Sequence, residues 1–151
     1  MLTVARTRQD GFLQSGPFMK TLRVLIVEDE AMIALLLGEL LSEMGHEVCA
    51  NETTEAGAIA AAALRQPDLI ISDVRLHEGS GLDAVNTIMK SGFVPHVFIS
   101  GEALAPDRLN PAAGILRKPF DEAQLVKAIS RAIDPENVTI GKQHLEKLWR
   151  S

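Results

Sequence analysis

The chain has 151 residues, of which 46 % are hydrophobic, and a formal net charge of −5. This length and composition indicate one globular domain with its own core and exclude a disordered chain. Both ends carry a net positive charge, so the excess of acidic residues lies between them. An acidic middle segment argues against nucleic acid as the main partner, because phosphate contacts need a basic face.

Five short apolar runs predict β-strands, and segments with helical periodicity lie between them. The strands are expected at 22–28, 46–50, 68–72, 94–99 and 114–117, and the helices at 30–44, 53–65, 82–90 and 121–133. Pro106 and Pro111 interrupt the segment 101–112, which therefore predicts a loop with at most one or two helical turns. The alternation predicts an α/β fold: a doubly wound, five-stranded parallel sheet with helices on both faces and a shortened or irregular fourth helix.

Capping residues mark the expected helix ends. Asp29 is a candidate N-cap of the first helix, and Thr53 or Thr54 caps the second. Asp121 is expected to cap the last helix of the sheet domain, and Pro135 is expected to end it.

Five polar residues stand at or just beyond the ends of four predicted strands: Glu28, Asp29, Asp73, Ser100 and Lys118. In open α/β sheets, ligands bind outside the carboxyl ends of the strands. The sheet would therefore gather three acids, a hydroxyl and an ammonium group at one rim. This set is suited to holding a divalent metal ion and a phosphoryl group together.

The motifs VLIVEDE, LIISDVRL, FISG and RKPF carry these residues in this order, and with them the chain resembles a response regulator receiver domain of two-component systems. The resemblance covers about residues 22–134. It implies a flavodoxin-like sheet of strand order 2-1-3-4-5, with residues 1–21 as an N-terminal extension and residues 135–151 as a tail.

The resemblance also implies a role for each site residue. Asp73 would be the phosphoacceptor nucleophile, and Ser100 and Lys118 would contact the phosphoryl oxygens. Mg²⁺ would be held by Asp29, Asp73 and the backbone carbonyl of Arg75, with Glu28 acting through a metal-bound water. A cis Lys118–Pro119 bond would aim the lysine inward, although trans is the commoner form of X-Pro bonds in general.

Two departures from the family pattern bear on switching. Receivers usually carry Tyr or Phe three residues before the lysine, and this chain has Ile115 there and no tyrosine. With the Pro-interrupted segment after Ser100, this resembles a subfamily of stand-alone receivers nicknamed FAT GUY after its Phe-Xaa-Thr-Gly motif. We therefore expect activation to change the order of residues 101–113 rather than flip a ring.

The ends and the single cysteine give weaker expectations. Residues 1–21 show no periodicity and are expected to be flexible, and residues 141–150 predict a short helix bearing Trp149. The tail is expected either to pack on its own domain or to form a homodimer or partner contact. Cys49 cannot form an internal disulfide, and neither a signal peptide nor a membrane-length apolar run is present in the sequence, so a cytoplasmic location with no membrane contact is expected.

The leading functional hypothesis is a stand-alone response regulator that takes a phosphoryl group from a sensor histidine kinase or a histidine phosphotransferase. It would signal through a downstream protein partner or act as a phosphate sink, catalysing only its own phosphorylation and dephosphorylation. One alternative is a degenerate receiver that binds a partner without phosphorylation. Another is a haloacid dehalogenase-type phosphatase, but its second acid would fall at Arg75, which cannot act as a general acid–base.

Overall fold

A computed structural model describes residues 20–150, so the predicted extension 1–21 lies almost entirely outside the described residues. Five parallel strands form one sheet of order β2-β1-β3-β4-β5, which confirms the predicted fold. The strands are β1 (Arg23–Val27), β2 (Glu47–Glu52), β3 (Leu69–Asp73), β4 (His96–Ser100) and β5 (Gly114–Arg117). The helices are α1 (Ala31–Glu43), α2 (Glu55–Arg65), α3 (Gly81–Ile88), α4 (Glu122–Ile133) and α5 (Pro135–Arg150).

Helices α1 and α4 cover one face of the sheet and form what we name the α1/α4 layer. Leu37 and Leu41 of α1 and Leu125 and Ile129 of α4 are fully buried there. They pack against alternate residues of the strands, as the two-residue period of a strand requires. Asp121 caps α4 as predicted, through a reciprocal capping box with Gln124.

Helices α2 and α3 cover the opposite face, which we name the α2/α3 layer. Alanines of α2 lie close to the sheet, and Val85 of α3 is buried beside Phe98 of β4. Thr54 caps α2 by accepting a hydrogen bond from the N–H of Gly57, so it is the second of the two predicted threonines that serves.

Between β4 and β5 the chain makes only one 3₁₀ turn, Pro106–Arg108, as the two prolines predicted. Where a full helix between β4 and β5 would lie, α5 packs on the α2/α3 layer. Leu145 is buried in the apolar cluster of that layer, and Gly141 lies against Phe93 and Ala112. Asn137 and Asn110 add hydrogen bonds between α5 and the segment before β5. The C-terminal helix thus covers part of the sheet face that the short β4–β5 connection leaves open.

Two predictions about helix ends are wrong. Asp29 does not cap α1, because Glu30 occupies the N-cap position and Asp29 is engaged elsewhere. The short helix expected at 141–150 instead begins at Pro135 and runs for 16 residues, packed on its own domain. Helix α4 does end ahead of Pro135, as predicted, and Pro135 is also the first residue of α5, a position where a proline loses no helical hydrogen bond. Within residues 20–150, no helix combines the length and the apolar character needed to cross a membrane.

Candidate functional site

Strands β1 and β3 are neighbours in the sheet, and their carboxyl ends bring three acids together. Glu28 and Asp29 follow β1 directly, and Asp73 is the last residue of β3. One carboxylate oxygen of each lies within 4.8 Å of the others. The three acids therefore lie together at one edge of the sheet, as predicted.

Lys118 follows β5 and reaches across the end of β4 to this cluster. Its Nζ lies 3.1 Å from Oδ2 of Asp73, 3.5 Å from Oε1 of Glu30 and 4.0 Å from Oε1 of Glu28. The Lys118 backbone N–H donates to the carbonyl of Ser100, and the Lys118–Pro119 bond is cis, as the resemblance implied. Partial burial lowers the pKa of Lys118, but the hydrogen bond and charge of Asp73 outweigh it and leave the pKa raised.

Glu28 is the most enclosed of the acids, with 1 % of its surface exposed. Its Oε2 accepts the N–H of Glu30, whereas its buried Oε1 has no hydrogen-bond partner. Burial, together with the neighbouring charge of Asp73, raises the pKa of the Glu28 carboxyl to about 7 against the opposing effects of the Glu30 N–H hydrogen bond and the charge of Lys118. A buried carboxylate oxygen without a donor is a site where a cation or a water fits.

Ser100, the last residue of β4, uses its hydroxyl locally. The Oγ donates to the carbonyl of Glu102 at 2.6 Å and accepts the Glu102 N–H at 3.0 Å. The hydroxyl proton is therefore directed at the loop after β4 and away from Asp73. The Glu102 carboxylate in turn forms an ion pair of 3.1 Å with Arg75, which joins the loops after β3 and β4.

A cavity of about 260 Å³ opens beside Asp73, between those two loops. Its lining comes from the end of β3, the start of α3 and the β4–β5 connection, and includes Asp73, Arg75, Leu82, Ser100, Leu104 and Arg108. The connection between β4 and β5 forms a 3₁₀ turn in place of a full helix and leaves this space open. Solvent therefore reaches Asp73, the phosphoacceptor candidate.

Three residues at the site were not singled out from the sequence. Glu30 pairs with Lys118, and His77 donates its backbone N–H to Asp29 Oδ2 while its ring Nδ1 lies 2.9 Å from the same oxygen. Gly81 lies so close to Asp73 that an added Cβ would stand 1.7 Å from its carbonyl oxygen. The sequence shows two glycines after Asp73, Gly79 and Gly81, but only the packing shows that Gly81 has no room for a side chain.

The donor set fits a magnesium ion. Mg²⁺ takes oxygen ligands and keeps several waters, and the site offers carboxylates from Asp29 and Asp73 with the unsatisfied Oε1 of Glu28 behind them. Clustered negative charge of this kind is stabilised when a divalent cation is bound. Lys118 supplies only one positive charge to the group.

Comparison with known proteins agrees with the geometry. The family model for the response regulator receiver domain matches residues 24–130. The phyllosphere-induced regulator PhyR of Methylorubrum extorquens is 41 % identical over 116 residues, covering 73 % of this chain and 43 % of PhyR. The transcriptional regulatory protein PdtaR of Mycobacterium tuberculosis is 35 % identical over 115 residues, covering 74 % of this chain and 56 % of PdtaR.

Among solved structures, the receiver domain of the Erythrobacter litoralis PhyR response regulator superposes with a TM-score of 0.67 at 34 % identity. The match covers 75 % of this chain and 90 % of that domain. The chain spans about half the length of the curated relatives it matches, and the shared part is the receiver part.

Proposed function

The chain belongs to the response regulator receiver family, and we propose that it accepts a phosphoryl group on Asp73 from a phosphohistidine of a sensor histidine kinase or a histidine phosphotransferase. The observation that carries the proposal is the ion pair of 3.1 Å between Lys118 and Asp73 inside the carboxylate cluster. A lysine at that place can pair its positive charge with the negative oxygens of a phosphoryl group attached to Asp73.

The transfer step is a displacement at phosphorus. An oxygen of the Asp73 carboxylate attacks, the bond between phosphorus and the donor histidine nitrogen breaks, and the imidazole leaves with the electron pair. The product is an acyl phosphate on Asp73. Dephosphorylation is the attack of water on the same phosphorus, which returns the free carboxylate and inorganic phosphate.

The chain's own residues stabilise the charge that this step gathers. Lys118 turns from the Asp73 carboxylate to a phosphoryl oxygen, which is a short movement because the two are already in contact. The Ser100 hydroxyl leaves the Glu102 carbonyl and donates to another phosphoryl oxygen. Asp29, Asp73 and the Arg75 carbonyl would hold Mg²⁺, supported by Glu28 through a water, and the bound ion would supply further positive charge to the phosphoryl oxygens.

Activation follows from the movement of Ser100. Its hydroxyl closes the first turn of the segment 101–113, so its departure frees the Glu102 backbone groups. Leu104 and Leu109 of that segment pack on the same apolar cluster as Leu145 of α5. We therefore expect phosphorylation to change the order of residues 101–113, with Ile115 taking no part as a rotating ring, and expect a downstream protein partner to read that change.

Intact-mass spectrometry after incubation with Mg²⁺ and acetyl phosphate tests the proposal. We expect a single phosphoryl adduct in the wild type and none in Asp73→Asn. The matched control Asp68→Asn alters an acid at the opposite end of β3 and should keep the adduct, because the Asp68 carboxylate accepts the N–H of Arg23 away from the acidic cluster. If the wild type forms no adduct and its NMR spectrum does not change when beryllofluoride is added, the degenerate receiver that binds its partner without phosphorylation is favoured.

Backbone relaxation dispersion on the beryllofluoride complex tests the activation step. Exchange confined to residues 101–113 and their contacts is the expected result. An unchanged segment would contradict the route through Ser100.

A further inference from the structure

His77 lies in the loop between β3 and α3 and makes two contacts with one oxygen of Asp29. Its backbone N–H donates to Oδ2 at 2.6 Å, and its ring Nδ1 lies 2.9 Å from the same atom. The imidazole is 86 % exposed, whereas the Asp29 side chain is only 12 % exposed. An exposed ring thus covers one side of an enclosed carboxylate.

The two contacts of His77 are both made with Oδ2 of Asp29. The backbone N–H occupies one of the roughly two lone-pair directions of that oxygen, and the imidazole Nδ1, 2.9 Å away, stands against its other side. Oδ1 remains for a cation. Hydrogen bonds to a ligating carboxylate orient it and tune its affinity for metal.

The loop does not depend on this contact for its own shape. Glu55 of α2 holds it from the other side: the Glu55 N–H donates to the carbonyl of Glu78, and Glu55 Oε1 accepts the N–H of Ser80. Leu76 is buried in the α2/α3 layer. The loop is therefore anchored by its neighbours, and it presents His77 to Asp29.

We propose that His77 is a positioning residue for the divalent cation, which orients Asp29 through Oδ2 so that Oδ1 is turned to the metal. This inference rests on the proposed function, since it concerns the cation that the receiver needs. It assigns His77 a role that the five strand-end residues do not include.

Calorimetric titration of the full chain with Mg²⁺, without any phosphodonor, tests it. In His77→Ala the ring contact with Oδ2 is lost and the backbone donor stays, and we expect the affinity for Mg²⁺ to fall about tenfold, the lower end of the range for such supporting partners. In His77→Asn the side-chain amide can replace the ring contact, so most of the affinity should return. His144→Ala on α5, far from the cluster in the fold, is the control and should bind Mg²⁺ like the wild type.

Three results would overturn the proposal. Tighter Mg²⁺ binding in His77→Ala would mean that His77 competes with the cation for Asp29, and unchanged binding would mean that the contact has no part in it. Equal losses in His77→Ala and His77→Asn would rule out the side-chain donor. A wild type that binds no Mg²⁺ overturns it as well, whereas normal binding without a phosphoryl adduct refutes the proposed function and leaves this inference standing.

Discussion

The two faces of the sheet are closed in different ways. In the α1/α4 layer, two regular helices pack on the sheet and bury large aliphatic side chains against the strands. On the other face, α2 and α3 cover the middle, but the area beside β4 and β5 is covered by an irregular connection and by part of α5. Ile115 of β5 remains 41 % exposed there.

This difference separates a rigid side from an adjustable one. The connection 101–113 touches the strand-end site at Ser100 and α5 at Asn110 and Ala112. Segments with few buried apolar contacts are the ones that open at low cost, and switching elements are drawn from them. The same sheet can therefore keep its carboxylate cluster fixed by one layer while the other layer responds.

The largest expected effect tests whether α5 is a true part of the fold. Leu37→Ala in α1 removes a fully buried side chain, and Leu145→Ala in α5 removes one that is 8 % exposed. Truncations of this kind cost about 2–5 kcal/mol of unfolding free energy. We expect Leu37→Ala near the upper end and Leu145→Ala near 2 kcal/mol, measured by urea unfolding.

Leu148→Ala, three residues further along α5, is the matched control. Leu148 is 56 % exposed, so its truncation should change stability by less than about 0.5 kcal/mol. If Leu145→Ala were equally silent, or if unfolding split into two transitions, α5 would be an appendage and the comparison of the two layers would fail.

A pair of helical glycines gives a smaller effect of opposite sign in the two layers. An added Cβ at Gly38 of α1 meets nothing within 4 Å, whereas at Gly141 of α5 it would stand 2.3 Å from Phe93 and 2.9 Å from Ala112. Both changes to alanine gain helix propensity of about 0.5–1 kcal/mol, but overpacking costs about 1–3 kcal/mol. We expect Gly38→Ala to raise the melting temperature and Gly141→Ala to lower it.

Calorimetric melting scans of both variants decide this. A stabilised Gly141→Ala would show that Phe93 moves aside freely. The contact between α5 and the segment before β4 would then be loose.

The α1/α4 layer and the strand-end site were predictable because their signals are local. A short apolar run marks a strand, the capping pattern at Asp121 marks the start of α4, and a polar residue after an apolar run marks a strand end. Parallel strands then bring these ends to one rim without any further information. The resemblance added roles to Glu28, Asp29, Asp73, Ser100 and Lys118.

What the sequence did not reveal depends on contacts between distant segments. Pro135 marks the end of α4 in the sequence, but the sequence does not show that α5 begins at the same residue; that helix is held by the docking of Leu145 and Gly141 on the α2/α3 layer. Similarly, His77 shows no metal spacing along the chain. Its contact with Asp29 depends on the shape of the loop between β3 and α3, which Glu55 stabilises.

The smallest expected effect concerns two buried histidines, one beside each helix layer. His46, beside α1, accepts the N–H of Leu22 at Nδ1, and His96 of β4 contacts the carbonyl of Val94 and lies beside the rings of Phe93 and Phe98. In both, Nε2 is buried without a partner. Burial lowers the pKa of each imidazole below 6.5.

A lowered pKa in the folded state means that the unfolded chain binds more protons as the pH falls. The stability from each neutral imidazole is therefore fully present above pH 6.5 and is lost as the pH falls from 6.5 toward the folded pKa. Each histidine can contribute at most about 1.4 kcal/mol per pH unit to that slope. His46→Asn and His96→Asn each keep a hydrogen-bonding amide near the position of Nδ1 but do not titrate, so each should flatten the decline in urea stability between pH 7 and pH 5. A flatter slope from His96→Asn alone would mean that only the β4 side excludes water from its imidazole, and an unaltered slope in both would mean that neither layer does.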